Sequence, residues 1–194
     1  MKRFGCIALL VVLGFGAFGA YRALYPPRVG GEAFSQLPPQ TQKERRQEAQ
    51  KLVESVEEVA RAARKNEKKT FELTVTENQL NTLLQDRLRT EKFPIRDLRA
   101  GISPGVLTLQ GVAVYQGFDV PATLSGTLKA ENGALVFTVD SLSLSGLPAP
   151  NQWKEKAQKA IGDGLQKAFA RERGARVTDV TLETGKMTVK GNTG

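Results

Sequence analysis

The sequence predicts an α+β fold: a curved antiparallel sheet packed around or against amphipathic helices, preceded by an N-terminal transmembrane helix. Three observations lead there. An uncharged apolar run fills Phe4 to Tyr21. Apolar residues recur at helical spacing in three later stretches. Between the second and third of these, from Ile95 to Leu144, apolar and polar residues alternate between turn signals.

The N-terminal run extends about 27 Å at a rise of ~1.5 Å per residue, close to the hydrocarbon thickness of a bilayer. Lys2 and Arg3 precede it, which favours a cytoplasmic N-terminus and an exported remainder. Residues 1–25 are therefore expected to form a single-pass anchor in the cytoplasmic membrane, with the C-terminal domain on the extracytoplasmic side. A cleaved signal peptide is the alternative, because Ala17-Phe18-Gly19 offers small residues to a signal peptidase. Cys6 lies before the apolar stretch and does not form a lipoprotein attachment site. Residues 26–40 hold four prolines and two glycines without hydrophobic periodicity and are expected to be a linker. The domain is expected over 41–194.

Within it, Thr41 and Glu44 have capping-box spacing before a stripe of Ala49, Leu52, Val53, Val56, Ala60 and Ala63, which predicts a helix through Asn66. Phe71, Leu73 and Val75 alternate with polar neighbours as a half-buried strand. A second capping box, Thr76 and Gln79, opens a helix with Leu80, Leu83, Leu84 and Leu88 on its apolar face. Four strands follow, over Arg96–Ser103, Val106–Gln116, Val120–Ala130 and Leu135–Leu144, joined by turns at Pro104-Gly105, Gly117 and Asn132-Gly133. In places, as at Val106-Leu107 and Gly111-Val112-Ala113-Val114-Tyr115, the strands are apolar in both phases, which predicts a sheet covered on more than one side. In the last, the apolar phase shifts after Val139, which predicts a bulge near Asp140. Gly146 to Pro150 is expected to break the sheet, and Asn151 to cap a third helix bearing Trp153, Ala157, Ile161 and Leu165. A closing hairpin turns at Thr184-Gly185.

The composition excludes more chemistry than it suggests. The chain has no His and one Cys, so Ser-His-Asp and Cys-His catalysis, nearly all catalytic zinc sites and an intramolecular disulfide are out of reach. No phosphate-binding glycine loop precedes a helix. Glu54, Glu57 and Glu58 read as a solvated helix face; Asp97, Asp140 and Asp179 lie in or beside strands with nothing to bring them together. Neither a cofactor nor a metal is expected, and the chain reads as a protein that is not an enzyme. A Ser-Lys hydrolase is the weaker alternative, and Ser-x-x-Lys does not occur. The net charge of +8 is scattered rather than striped, which argues against a nucleic-acid partner and suits mild attraction to anionic headgroups.

The positive reading rests on shape. A bent sheet and amphipathic helices rich in Leu, Val and Phe can enclose a groove for an acyl chain, making membrane lipid the expected ligand. Candidate lining residues are Leu80, Leu84, Leu109, Tyr115, Leu124, Phe137, Trp153, Ile161 and Leu165. The same side chains also describe a filled core, and periodicity does not separate the two.

The stretches FELTVTENQLNTLL, LRAGISPGVLTLQG, LKAENGALVFTVDSLSLSGLPAP and VTDVTLETGKMTVKG resemble the YpmS and LmeA-like families of bacterial envelope proteins over most of Phe71 to Gly191. Those families look like distant relatives of the tubular lipid-binding superfamily, in which a curved sheet wraps a long helix around a lipid channel. The resemblance implies phospholipid binding and a role in envelope biogenesis. It transfers no ligand-binding residue, because its motifs are patterns of apolar residues, Gly and Pro. The competing expectation is a structural or regulatory adaptor that binds another envelope protein through a sheet edge or helix face.

Overall fold

A proline, not a capping box, starts the first helix. In the computed structural model, which describes residues 37–90, 95–115, 118–170 and 174–194, α1 runs over Pro39–Arg64 with Pro38 as N-cap and no side-chain cap bond. Pro39 has its φ preset for the first helical turn and no N–H to leave unpaired, so the helix begins two residues before Thr41, inside the stretch assigned to the linker. The predicted anchor and Gly117 lie outside the described residues; none of the described helices is long and apolar enough to cross a membrane.

Strand β1 (Lys69–Thr76) passes directly into α2 (Glu77–Thr90). The predicted capping box is formed there: the Thr76 N–H donates to Gln79 Oε1 at 2.9 Å, and the Gln79 N–H donates to Thr76 Oγ1 at 3.2 Å. The strands β2 (Ile95–Ser103), β3 (Val106–Tyr115), β4 (Phe118–Glu131) and β5 (Ala134–Leu144) form the expected antiparallel meander. Asn132 and Gly133 both take positive φ, 54° and 81°, which is the two-residue hairpin turn that matches strand twist. Gly146 to Pro150 does not simply end the sheet. Ser145 and Gly146 make a second such turn, and β6 (Leu147–Pro148) pairs back on Leu144 and Ser143 before α3 (Asn151–Ala170). Asn151 is itself helical; the N–H groups of Trp153 and Lys154 donate to the Pro150 carbonyl.

The closing hairpin, β7 (Ala175–Glu183) and β8 (Lys186–Thr193), pairs with β1 and not with the meander. Two antiparallel sheets result, in the orders β1-β8-β7 and β2-β3-β4-β5-β6. They are tied at their turns: the Gly105 N–H donates to Leu182 O, and the Gly185 N–H to Ile102 O. Val177, Leu182 and Met187 of the smaller sheet join one hydrophobic core with the larger sheet, α2 and α3.

Bulges lie at or beside Asp97, Asp140 and Asp179. Ser125 pairs with Ser141 and Gly126 with Val139, so Asp140 is the extra residue, where the phase shift placed it. In β2 the register slips across Asp97 and Leu98, with Asp97 at a φ of 52°. In β7 it slips across Thr178, beside Asp179. A bulge leaves a residue out of the ladder, and a short polar side chain suits it.

Among the described residues, one face of the larger sheet is buried more completely than the other. Leu107, Leu109 and Ala113 of β3 and Ala122, Leu124 and Leu128 of β4 are buried, whereas Thr108, Gln110, Thr123 and Thr127 on the opposite face are half-buried. The mixed phase at Gly111 to Ala113 arises because Val112 sits on the polar face and Gly111 on the core face, under Leu98.

Candidate functional site

Helix α2 lies along the outer edge of β2 and supplies the hydrogen bonds a further strand would have made. Glu77, Asn81 and Gln85, four residues apart and so on one helical face, form the row. Glu77 Oε2 accepts from the Ile102 N–H at 2.9 Å. Asn81 accepts from the Ala100 N–H at 2.6 Å and donates to its carbonyl at 2.9 Å. Gln85 donates to Leu98 O at 2.9 Å. On the opposite side, α3 treats β5 the same way. Gln158 accepts from the Val139 N–H at 2.6 Å and donates to Phe137 O at 2.7 Å, and Lys154 Nζ donates to Asp140 O at 2.8 Å. Buried main-chain groups of both edges are thereby paired.

These two polar rails fix α2 and α3 as walls on either side of the sheet's apolar face. Cross-strand partners share a face, so the register gives the floor in rows. Leu109 pairs with Leu124 and that with Leu142; Gly111 pairs with Ala122, that with Leu144, and that with Leu147. Ala113 pairs with Val120 and Tyr115 with Phe118. Along β4 exposure climbs from 1% at Leu124 through 8% at Ala122 to 58% at Phe118. The apolar floor thus runs out of the core toward the β3–β4 hairpin.

Where the floor becomes small-sided, a notch is left. It is lined by Ile95, Leu98, Leu109, Gly111, Ala113, Ala122 and Leu124 and encloses about 10 Å³, room for about one water molecule. All seven residues are apolar. The β2 bulge builds its roof: a Cβ on Gly111 would lie 3.0 Å from Ile95 Cγ2 and 3.3 Å from Leu98 Cδ1.

Of the residues expected to line a groove, Leu80, Leu84, Leu109, Leu124, Phe137, Ile161 and Leu165 are buried in the one core cluster, and Trp153 packs against it half-buried. They do converge, but they touch one another. Only Leu109 and Leu124 border the notch. The Tyr115 side chain lies outside the described ones. The sequence reading missed Ile95, Leu98, Gly111, Ala113 and Ala122. The signal available for them was the run of small residues facing one another in β3 and β4. It also missed the rails, whose amides fall on the polar sides of their helices.

No charge is built into the notch. The resolved titration shifts belong to exposed pairs on the smaller sheet. The hydrogen bond from Lys69, 2.7 Å away, holds the Glu67 carboxyl below its ordinary value and raises the Lys69 ammonium, and Glu183 raises Lys186 in the same way. Glu67's contribution to stability is thus present above the ordinary carboxylate pKa and fades as pH falls through its lowered value.

The notch, at the open end of a two-walled apolar floor, offers apolar side chains and no charged group. Residues 64–192, about two thirds of the chain, match the family described as LmeA-like phospholipid-binding. No curated protein and no solved structure matches the chain. Of the two families that the sequence resembles, one is thereby established: the chain belongs to the LmeA-like phospholipid-binding family.

Proposed function

We propose that the chain is a membrane-anchored, extracytoplasmic protein that binds a phospholipid by one acyl tail, without catalysis, in the service of envelope biogenesis. The tail enters at the notch and lies on the β3–β4 floor between α2 and α3. The observation that carries this reading is the wholly apolar notch, continuous with an apolar floor, in a member of a phospholipid-binding family. The anchor and the exported location rest on the apolar run from Phe4 to Tyr21 with Lys2 and Arg3 before it.

A space of 10 Å³ must widen, since ligand pockets run to roughly 300–1,000 Å³. Helix α3 is the wall that moves. Among the described residues it is tied to β5 by Gln158 and Lys154, at about 0.5–1.5 kcal/mol net per bond. Helix α2 is continuous with β1, carries the longer rail and is backed by α1. Once the lipid has left the bilayer, ten methylenes on the floor are kept out of water at ~0.8 kcal/mol each, which retains the tail.

Native mass spectrometry of the full chain, released from detergent micelles, tests the reading. One phospholipid per chain is expected in the wild type, and loss of it in Ala122→Leu, which fills the notch. Equal lipid retention by that variant, or no lipid in the wild type, would refute it.

A further inference from the structure

We propose that the notch end of the domain is the face that rests on the bilayer, with Phe118 and Leu147 as its two insertion points. The inference extends the lipid-binding reading by naming the surface from which lipid is collected. Three independent observations point the same way.

First, Phe118 and Leu147, at 58% and 53% exposure, are the exposed large hydrophobic residues among those described. Both belong to the apolar face at its open end: Phe118 begins β4, and Leu147 pairs with Leu144 in the row of Gly111 and Ala122. They are offset by about 13 Å along the strands and about 10 Å across them at ordinary strand spacing. A bilayer interface receives both at once, with the notch beside Phe118 on the β2–β3 side of the sheet, at the same end.

Second, the chain enters the domain at this end. Gln79, in the first turn of α2, donates to Glu48 O of α1, and farther along α2 Asp86 pairs with Arg46 at 3.6 Å, so the helices run antiparallel. From Glu48 back to Pro39 is about 13 Å at a rise of ~1.5 Å per residue, which reaches the level of Leu88, at the end of α2 beside the notch. A tether leaving Leu37 therefore starts on the notch side and not on the far side, where Gly174 meets Ala63.

Third, the start of α3, just after Leu147, carries interfacial chemistry. Trp153 is half-buried, and the Lys156 ammonium lies 5.9 Å from its ring centroid. Indole and lysine side chains settle at the headgroup level, and the chain's net charge of +8 complements anionic lipid.

Trp153 is the one tryptophan, so the full chain carries its own reporter. The chain is reconstituted into vesicles of phosphatidylcholine and phosphatidylglycerol, with and without dibrominated phosphatidylcholine, whose bromines quench indole. Strong quenching is expected in the wild type, and at least a fivefold reduction in Phe118→Ser/Leu147→Ser, which folds because both side chains are more than half exposed. Lipid retention is read in parallel by native mass spectrometry. A quenching difference with lipid retained by both proteins supports the docking face. The same difference with lipid retained by neither also supports it, and removes the lipid-binding reading instead. Equal quenching in the two proteins, or none in either, overturns the proposal.

Discussion

The carboxamide of Asn81 makes both hydrogen bonds of an absent strand neighbour with Ala100: Nδ2 donates to the carbonyl at 2.9 Å and Oδ1 accepts from the N–H at 2.6 Å. Ala100 is fully buried, so neither group has water to fall back on. Replacing Asn81 by Leu leaves two buried main-chain groups unpaired at about 1–3 kcal/mol each. A loss of about 2–5 kcal/mol in urea unfolding is expected. Asn81→Asp, which keeps the acceptor and loses the donor, should fall between that variant and the wild type.

The ring of Phe137 lies over Gly126 in the same way that Phe71 lies over Gly191. A Cβ on Gly126 would come within 2.2 Å of Thr138 O and 2.5 Å of Phe137 Cζ. Neither can yield easily: one is main chain beside the Asp140 bulge, the other is 2% exposed core. Gly126→Ala should therefore cost about 1–3 kcal/mol by overpacking, although alanine is ordinarily the better residue away from turns. Thermal unfolding followed by circular dichroism measures it; a neutral or stabilising outcome would mean the ring does not sit over the glycine.

Gln158 is the rail of α3, the wall proposed to open. Gln158→Leu removes both of its bonds to β5, and the Val139 amide, now unpaired, should exchange with deuterium at least tenfold faster. If α3 gates entry, lipid transfer between vesicles also accelerates in this variant, up to the point where stability fails. Faster exchange without a change in transfer would assign the gate elsewhere.

The sequence made the local rules legible and left the long-range pairings hidden. Thr76 with Gln79, Asn132 with Gly133 and the phase shift at Asp140 each involve residues a few positions apart, and each was met by the structure. By contrast, β1 joins β8 over more than a hundred residues, and no periodicity encodes which strand a lone strand will choose. The two-residue β6 was too short to alternate, and Pro39 displaced the Thr41 cap because φ preset by a ring outcompetes a side-chain bond. At the site, apolar residues were found but not their arrangement. Whether Leu109 and Leu124 line a space or fill it depends on the small residues Gly111, Ala113 and Ala122, which hydropathy weighs least. The rails were hidden for the opposite reason: Asn81, Gln85 and Gln158 are polar, and a pattern of alternation assigns such residues to water.

The claim on which the account depends is that an acyl tail reaches the β3–β4 floor between α2 and α3. Photo-crosslinking the full chain in vesicles with a phospholipid carrying a diazirine at mid-tail, followed by peptide mapping, tests it most directly. Adducts on the peptides containing Gly111 to Ala113 and Ala122 to Leu124 are the expected result, reduced by Ala122→Leu. Adducts confined to Phe118, Leu147 and the N-terminal apolar run, with none on the floor, would contradict it.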